Sequence, residues 1–339
     1  MTSWGRKCIG TVVLIVAMSA VVACGNNKAA DGNAVQTGNK TEQAAAASAA
    51  PAETGKKPSS EGATRTIAGE FGEVEIPVNP QRVAAIYLED YLKALGVTPV
   101  VQWYHPSWGK QDYLNLDVPE FDISGSIEAL LDKNPDLIIA DGGVDAAKYE
   151  QYSLVAPTYR LPESVLQDSR LILTAVADAL GIPEKGKAVL AEYDQKVADG
   201  KAALQQALGQ EKVAVIRLNV ADKTVALFGV KNRFTGVLYN QFGLTPVPMA
   251  AEMTEFQSII SEEVIPELQA DHIIVFPDNG EWDTAANQEA IRILDGPLWK
   301  NLPAVKNGNI YRMERSHWQS GAITANLMKL DDLLKAFVK

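Results

Sequence analysis

The densest run of chemically useful side chains lies between Gln102 and Phe121, which holds Trp103, Tyr104, His105, Trp108, Tyr113 and Phe121. Aromatic faces offer stacking and cation–π surface, and in a loop such a cluster is poorly explained by core packing. A second pattern couples a hydroxyl to a carboxylate. Ser126-Ile127-Glu128 is matched 135 positions later by Ser261-Glu262-Glu263. Serines there suit helix N-caps, which leaves Glu128 and Glu263 in first turns, complementing the helix dipole. Catalytic patterns are missing: there is no G-x-G-x-x-G, P-loop, G-x-S-x-G or H-E-x-x-H. The three histidines, His105, His272 and His317, make no local metal set, and His272 reads as a packed or hydrogen-bonded residue at a strand start. Asp331-Asp332 reads as a solvated helix face, and no nucleophile–base pair stands out. These residue types favour binding over catalysis.

Cys24 is the other chemical landmark. Arg6 and Lys7 precede an apolar run from Ile9 to Val22, and Val21-Val22-Ala23 lead into the cysteine. The run is shorter than the roughly 20 residues that span a bilayer, and small residues before a cleavage point mark an export signal. The pattern resembles the bacterial lipobox, which implies removal of residues 1–23 and lipidation of the Cys24 thiol. Cys8, the only other cysteine, leaves with the signal, so no disulfide is expected. A diacyl anchor would supply the two chains that stable attachment needs. Residues 24–65 are rich in Ala, Gly, Ser, Thr, Asn and Lys, with no aromatic residue, and are expected to form a flexible linker. As a coil that tether would span about 35 Å.

The chain has 339 residues and a formal charge of −11, with 47% hydrophobic and 22% charged residues. This composition excludes a multi-span membrane protein, a collagen-like fibre and global disorder. The negative charge, nearer −13 without Arg6 and Lys7, argues against a nucleic-acid partner.

The elements that must position these groups alternate. Strands are predicted at Val83–Ile86, Leu137–Ala140, Val213–Leu218, Thr224–Phe228, His272–Phe276 and Ile310–Met313. Helices are predicted at Asp90–Leu95, Ile127–Lys133, Val165–Leu180, Thr235–Phe242, Glu262–Leu268 and Ile323–Phe337. This alternation implies an α/β fold with largely parallel sheets. The longest helical stretch runs from Pro183, suited to a first turn, to Leu208, with Gly209 as a stop and Gly200 as a weak interruption. Its 26 residues would make a rod of about 39 Å.

An internal repeat sets the organisation. Gly96-Val97-Thr98-Pro99-Val100 returns as Gly243-Leu244-Thr245-Pro246-Val247, each after an amphipathic helix. Asp136-Leu137-Ile138-Ile139 returns 135 positions later as Asp271-His272-Ile273-Ile274. Two α/β lobes, 66–182 and 209–339, joined by a helix at 183–208, are therefore expected, with a ligand cleft between them. The first lobe carries about 12 extra residues, which fall in the aromatic stretch.

With the lipobox in place, the order of Gly72, Ile76-Pro77-Val78-Asn79-Pro80-Gln81-Arg82-Val83, Leu95-Gly96-Val97, Ser126-Ile127-Glu128, Asn134-Pro135-Asp136-Leu137-Ile138-Ile139, Ser261-Glu262-Glu263 and Ala270-Asp271-His272-Ile273-Ile274 resembles one known group. The chain from about residue 66 is similar to the solute-binding lipoproteins of iron–siderophore ABC importers, a class that also binds haem and cobalamin. The resemblance implies two Rossmann-like lobes on one long helix, with little lobe movement. It implies no enzymatic activity, a monomer at the outer face of the cell membrane, and an ABC permease with its ATPase as partners. It also implies that Glu128 and Glu263 dock on arginines of the permease.

A siderophore can fill the coordination sphere of iron by itself, so the resemblance implies no protein metal ligand and no cofactor. Aromatic walls and cations are needed instead. The candidates are Tyr87 after the first strand, then Trp103, Tyr104, His105 and Trp108, and across the cleft Arg217, Lys231, Arg233 and Trp318. Trp282 is a weaker candidate, and Trp299 reads as core. The expected ligand is a ferric siderophore of the hydroxamate or citrate type. Haem or cobalamin is the alternative within the class, and an exported lipoprotein enzyme the alternative outside it.

Overall fold

The computed structural model describes residues 62–338. The expected signal, Cys24 and most of the linker lie outside them. The first strand, β1 (Thr64–Gly69), begins two residues before the expected lobe boundary and pairs antiparallel with β2 (Gly72–Pro77).

The first lobe follows as β3 (Val83–Ile86), α1 (Glu89–Ala94), β4 (Gln102–Tyr104), β5 (Glu120–Asp122), α2 (Glu128–Leu131), β6 (Leu137–Ala140), α3 (Ala146–Ser153), β7 (Thr158–Arg160) and α4 (Ser169–Ala179). Strands β3, β6 and β7 form a parallel sheet in that order, while β4 and β5 pair separately. Every residue of β3 and β6 is buried, as near-continuous apolar strands of a covered parallel sheet should be. Helix α4 starts at Ser169 because Asp168 caps it, accepting the Arg170 amide at 2.8 Å; the predicted start at Val165 is a separate 3-10 turn.

Helix α5 (Pro183–Leu208) has the predicted limits, with Pro183 in its first turn and Gly209 at φ +57° behind it. Its buried seam is Gly186, Tyr193, Val197, Gly200, Leu204 and Leu208. The two glycines are points of close approach rather than interruptions. A Cβ on Gly186 would lie 2.6 Å from the Ala177 Cβ of α4, and one on Gly200 would lie 2.6 Å from Leu330.

The second lobe contains β8 (Lys212–Asn219), β9 (Thr224–Phe228), α6 (Gly236–Asn240), β10 (Thr245–Pro246), α7 (Pro248–Glu252), β11 (Gln257–Ile260) and β12 (His272–Pro277). It closes with α8 (Ala285–Ala290), α9 (Pro297–Lys300), α10 (Pro303–Lys306), β13 (Ile310–Arg312), α11 (Arg315–Trp318) and α12 (Ile323–Phe337). The main sheet runs β11-β9-β8-β12-β13, with β10 beside β8. It is mixed rather than largely parallel. Only four residues separate β8 from β9, enough for a hairpin but far too few for a parallel crossover. Glu262–Leu268 is a 3-10 helix, since Pro266 inside it cannot donate a backbone bond.

The repeat reappears as matched backbone geometry. Gly96 and Gly243 hold φ of +74° and +75°, and Asn134 and Gln269 hold +44° and +48°. Asp136 accepts the Arg82 amide at 2.9 Å and gives its own amide to the Arg82 carbonyl. Asp271 makes the same exchange with Lys212, at 2.8 and 2.9 Å. The repeated aspartate thus pins β3 to β6 in the first lobe and β8 to β12 in the second.

One buried apolar cluster runs from Ile76, Leu92 and Leu173 through Tyr193 and Leu204 to Phe242, Phe276 and Leu333. It joins both lobes around α4, α5 and α12. Wide separation of the lobes would expose this surface at roughly 25 cal/mol per Å², which favours a nearly fixed arrangement.

Candidate ligand-binding cleft

The carboxyl ends of the parallel strands in both lobes face a cleft of about 950 Å³. Ligand sites of open α/β sheets form at such strand ends. Tyr87 follows β3, Asp141 follows β6, and Asp278 follows β12; all three line the cleft with Arg217 of β8 and Arg315 at the start of α11.

The first-lobe wall is aromatic. Tyr87 has φ +66°, an uncommon conformation for a bulky residue and one that the surroundings must hold. Its ring centre lies 4.9 Å from that of Trp103. A Cβ on Gly143 would come within 3.0 Å of the Tyr87 ring, so the glycine leaves space for it. Burial, with Asp141 and Glu89 nearby, pushes the Tyr87 phenol up to about 12, so it remains a hydrogen-bond donor. Trp103 also lines the cleft, and its buried Nε1 has no partner among the described residues. Trp108 stands at the mouth, 52% exposed, stacked on His105 with ring centres 3.9 Å apart.

Beneath this wall lies a buried carboxyl. Glu89 accepts the Trp103 amide at 2.7 Å through Oε1, while Oε2 has no partner among the described residues. Burial pushes Glu89 up to about 8, which keeps it protonated at neutral pH.

The facing wall is cationic. Arg217 donates from Nε to Asn219 Oδ1 at 2.9 Å and lies over the Phe228 ring. Arg315 donates from Nε to the Asp278 carbonyl and from Nη2 to the Trp108 carbonyl, both at 2.7 Å, and so ties the aromatic loop to the second lobe. Burial lowers both guanidinium groups from their usual range. Arg233 reaches across the lobes to Asp141, with Nη2 2.9 Å from Oδ2.

Of the expected ligand residues, Tyr87, Trp103, Trp108, Arg217 and Arg233 come together here. The others do not. Neither Tyr104 nor His105 is among the cleft-lining residues, and His105 stacks on Trp108 from outside. Lys231 lines a separate cavity of about 470 Å³ with Ser169 and Asn232. Trp318 is wholly buried against Phe276, its Nε1 donating to Asp332 at 2.9 Å; Arg315 of the short helix α11 and Gln319 just after it line the cleft, while Trp318 enters the core. Asp332 is accordingly no solvated acid, since it also bonds His317 at 2.6 Å. Trp299 is core as read, and Trp282 bonds the Met313 carbonyl outside the cleft.

Asp141 and Arg315 were missed by sequence reasoning. The residue directly after a predicted buried strand is the signal that would have found Asp141; Arg315 had no comparable mark. Glu128 and Glu263 are both exposed, each following its serine. The Glu128 amide donates to Ser126 Oγ at 3.3 Å, and the Ser261 hydroxyl holds the Glu263 carboxyl below its usual range. Ser126 stands one residue before the N-cap of its helix, Ile127, and Ser261, at the N-cap of its own, accepts no backbone amide through its side chain. Among the described residues no cluster of His, Cys, Asp and Glu could hold a metal ion, and no helix is long and apolar enough to cross a membrane.

Comparison with known proteins agrees with this geometry. A probable siderophore-binding lipoprotein of Bacillus subtilis, YfiY, is 30% identical over 294 residues, covering 81% of this chain and 88% of that one. The iron(3+)-hydroxamate-binding protein FhuD of the same organism is 28% identical over 329 residues, covering 93% and 92%. Among solved structures, a FhuD-fold binding component of a Fep/Fec-like ferrichrome ABC transporter from Bacillus subtilis superposes with a TM-score of 0.68 at 26% identity, over 80% of this chain and all of that one. Staphylococcus aureus SirA, solved with staphyloferrin B, shares the fold at a TM-score of 0.68 and 23% identity, over 80% of this chain and 98% of that one. The profile of the periplasmic binding protein family matches residues 89–316, and the chain belongs to that family.

Proposed function

We propose that this protein captures a ferric siderophore, of the hydroxamate or citrate type, in the interlobe cleft and delivers it to an ABC permease and its ATPase. The observation that carries the reading is one cavity at the strand ends of both lobes, aromatic on one side and guanidinium-lined on the other. Its size suits a chelate, at the upper end of the roughly 300–1,000 Å³ typical of ligand pockets. The chelator holds the iron, and the protein holds the chelator. The chain acts as a monomer, tethered to the outer face of the cell membrane by lipid on Cys24, and catalyses no reaction. Glu128 and Glu263, one exposed on each lobe, meet permease cations.

Haem is disfavoured by the cleft's chemistry. Among the described residues no histidine or methionine lines it, and burial raises the phenols of Tyr87 and Tyr91, opposing phenolate ligation. Titration of the purified protein with ferric hydroxamates, ferric citrate, ferric catecholates, haem and cobalamin tests the reading. Trp103 and Trp108 report through fluorescence quenching. Saturable quenching by a ferric siderophore is expected; a response confined to haem or cobalamin sinks the proposal.

A further inference from the structure

Under the floor of the cleft lies a buried lysine that the receptor reading does not use. Lys329 of α12 is wholly buried. Its ammonium donates to three acceptors: the Phe234 carbonyl at 2.6 Å, Asn326 Oδ1 at 3.0 Å and the Ser320 carbonyl. Phe234 and Ser320 both line the cleft, as do their neighbours Arg233, Gln319, Gly321 and Ala322. The two floor segments touch, since a Cβ on Gly321 would collide with the Arg233 carbonyl. Asn326 extends the tie, donating from Nδ2 to the Gly321 carbonyl at 3.1 Å. One side chain thus fastens the 233–234 segment to the 319–322 segment from below.

The same lysine is coupled to the first lobe. Asp90 of α1, also wholly buried, accepts the Thr324 and Ala325 amides at 2.8 and 3.1 Å and the Tyr113 hydroxyl at 2.7 Å. It therefore caps α12, whose own N-cap residue, Ala322, makes no side-chain cap. Tyr113 also lies 3.1 Å from Ser320 Oγ. Asp90 is the charged group that acts on Lys329. An ammonium has three N–H groups and matches three acceptors; a neutral amine has two, and its lone pair would face an oxygen. The site is shaped for the charged form, while burial pulls Lys329 down to about 7.

We propose that Lys329 is a positioning residue for chelate binding: its grip on three acceptors sets the two floor segments in the geometry that receives the chelate. This rests on the receptor reading above and adds to it a residue that does not line the cleft. Loss of the proton removes one of the three bonds and loosens the floor. Affinity is therefore highest below about pH 7 and falls as the proton leaves. The buried titratable groups on the elements packed against α12 are Glu89, Asp90 and Tyr91 of α1, Tyr193 of α5 and His317 of α11. Burial raises the phenols of Tyr91, Tyr193 and nearby Tyr113, and His317 is held by Asp332 at 2.6 Å. Glu89, raised to about 8, titrates in a neighbouring window and needs its own control.

The test titrates the purified protein with ferric citrate, a ferric trihydroxamate and a ferric catecholate from about pH 6 to about pH 8.5, a range that brackets the lysine. Comparing variants at each pH cancels the titration of the chelate itself. Lys329→Met keeps the apolar stem and removes all three donors. It should weaken the chelate that binds by about five- to fiftyfold at the acid end, the size of ordinary coupling between sites, with the gap narrowing at the alkaline end. The Lys329 Cε resonance of the wild type should titrate near pH 7, with a midpoint that rises when the chelate is bound. Leu330→Ala loosens α12 but keeps the lysine; it should lower the thermal midpoint and retain the wild-type pH profile, as should Glu89→Gln. A Lys329→Met protein that binds as wild type at every pH, or a profile abolished by Glu89→Gln instead, overturns the inference and leaves the receptor reading standing. If Lys329→Met does not fold, the resonance decides alone, and a midpoint unmoved by the chelate overturns the inference. No quenching of the wild type by any of the three chelates removes both readings.

Discussion

The Arg233–Asp141 pair offers the sharpest test of how the two lobes are held. Its partners are 92 residues apart in sequence and lie on opposite sides of the cleft. The Asp141 side chain is 5% exposed and that of Arg233 29%. Asp141 spends Oδ2 on Arg233 Nη2 and Oδ1 on the Gly143 amide at 2.8 Å. Two unit charges about 4 Å apart attract by about 4 kcal/mol at an effective dielectric constant of 20. Desolvation of the carboxylate and the partial exposure of Arg233 remove much of that, leaving a coupling of about 1–2 kcal/mol. Arg233→Gln should cost more than the coupling, about 2–3 kcal/mol, because it strands a buried carboxylate with one backbone donor. Asp141→Asn keeps the Gly143 bond and should cost less, about 1–2 kcal/mol. The assay is a double-mutant cycle by urea denaturation, with hydrogen exchange at the Gly143 amide as a local reporter. A coupling below about 0.3 kcal/mol, the limit of ordinary additivity, would refute the reasoning and mark the pair as incidental to lobe closure.

Three further outcomes follow from the same contacts. Glu89 is raised from the ordinary carboxylate range to about 8, so the folded state holds a proton that the unfolded state has released. Its contribution is full below about pH 4.5, falls by about 1.4 kcal/mol per pH unit above it, and is lost by about pH 8; Glu89→Gln should flatten that alkaline decline in a urea series, and an unchanged slope would assign it elsewhere. Gly200→Ala gains about 1 kcal/mol of helix propensity but drives a Cβ to 2.6 Å from Leu330, itself buried, so a net loss of about 1–2 kcal/mol is expected. In a Leu330→Ala background the same change should become neutral or stabilising, and a stabilised single variant would contradict the packing. Reversal of both exposed acids, Glu128→Lys with Glu263→Lys, should abolish cellular iron uptake while leaving chelate affinity within about twofold; lost affinity would count against a docking role.

The long helix was readable because Pro183 and Gly209 carry their own backbone constraints, and the strands because four-residue apolar runs have few other uses. The repeat was readable for a physical reason that only the structure reveals. Asp136 and Asp271 each tie down the neighbouring strand, and Gly96 and Gly243 each turn the chain through a left-handed conformation. Side-chain direction was harder. Trp318 and Arg315 sit three residues apart on one short helix, and sequence named the one that enters the core. Tyr104 ends β4 and His105 opens the loop that carries Trp108, yet backbone geometry alone decides which ring meets the cleft. The buried role of Gly200 was equally hidden, since a close helix contact depends on Leu330, 130 residues away.

The central claim is that iron enters this protein held by its chelator, between the aromatic wall and the guanidiniums, with no ligand from the chain. An anomalous-scattering map at the iron edge, from crystals grown with the tightest-binding ferric chelate, addresses it directly. The account predicts one iron peak per molecule, inside the cleft between Tyr87 and Arg217, with every coordinating atom supplied by the chelate. Iron bonded to a protein oxygen or nitrogen, or a peak outside the cleft, would contradict it.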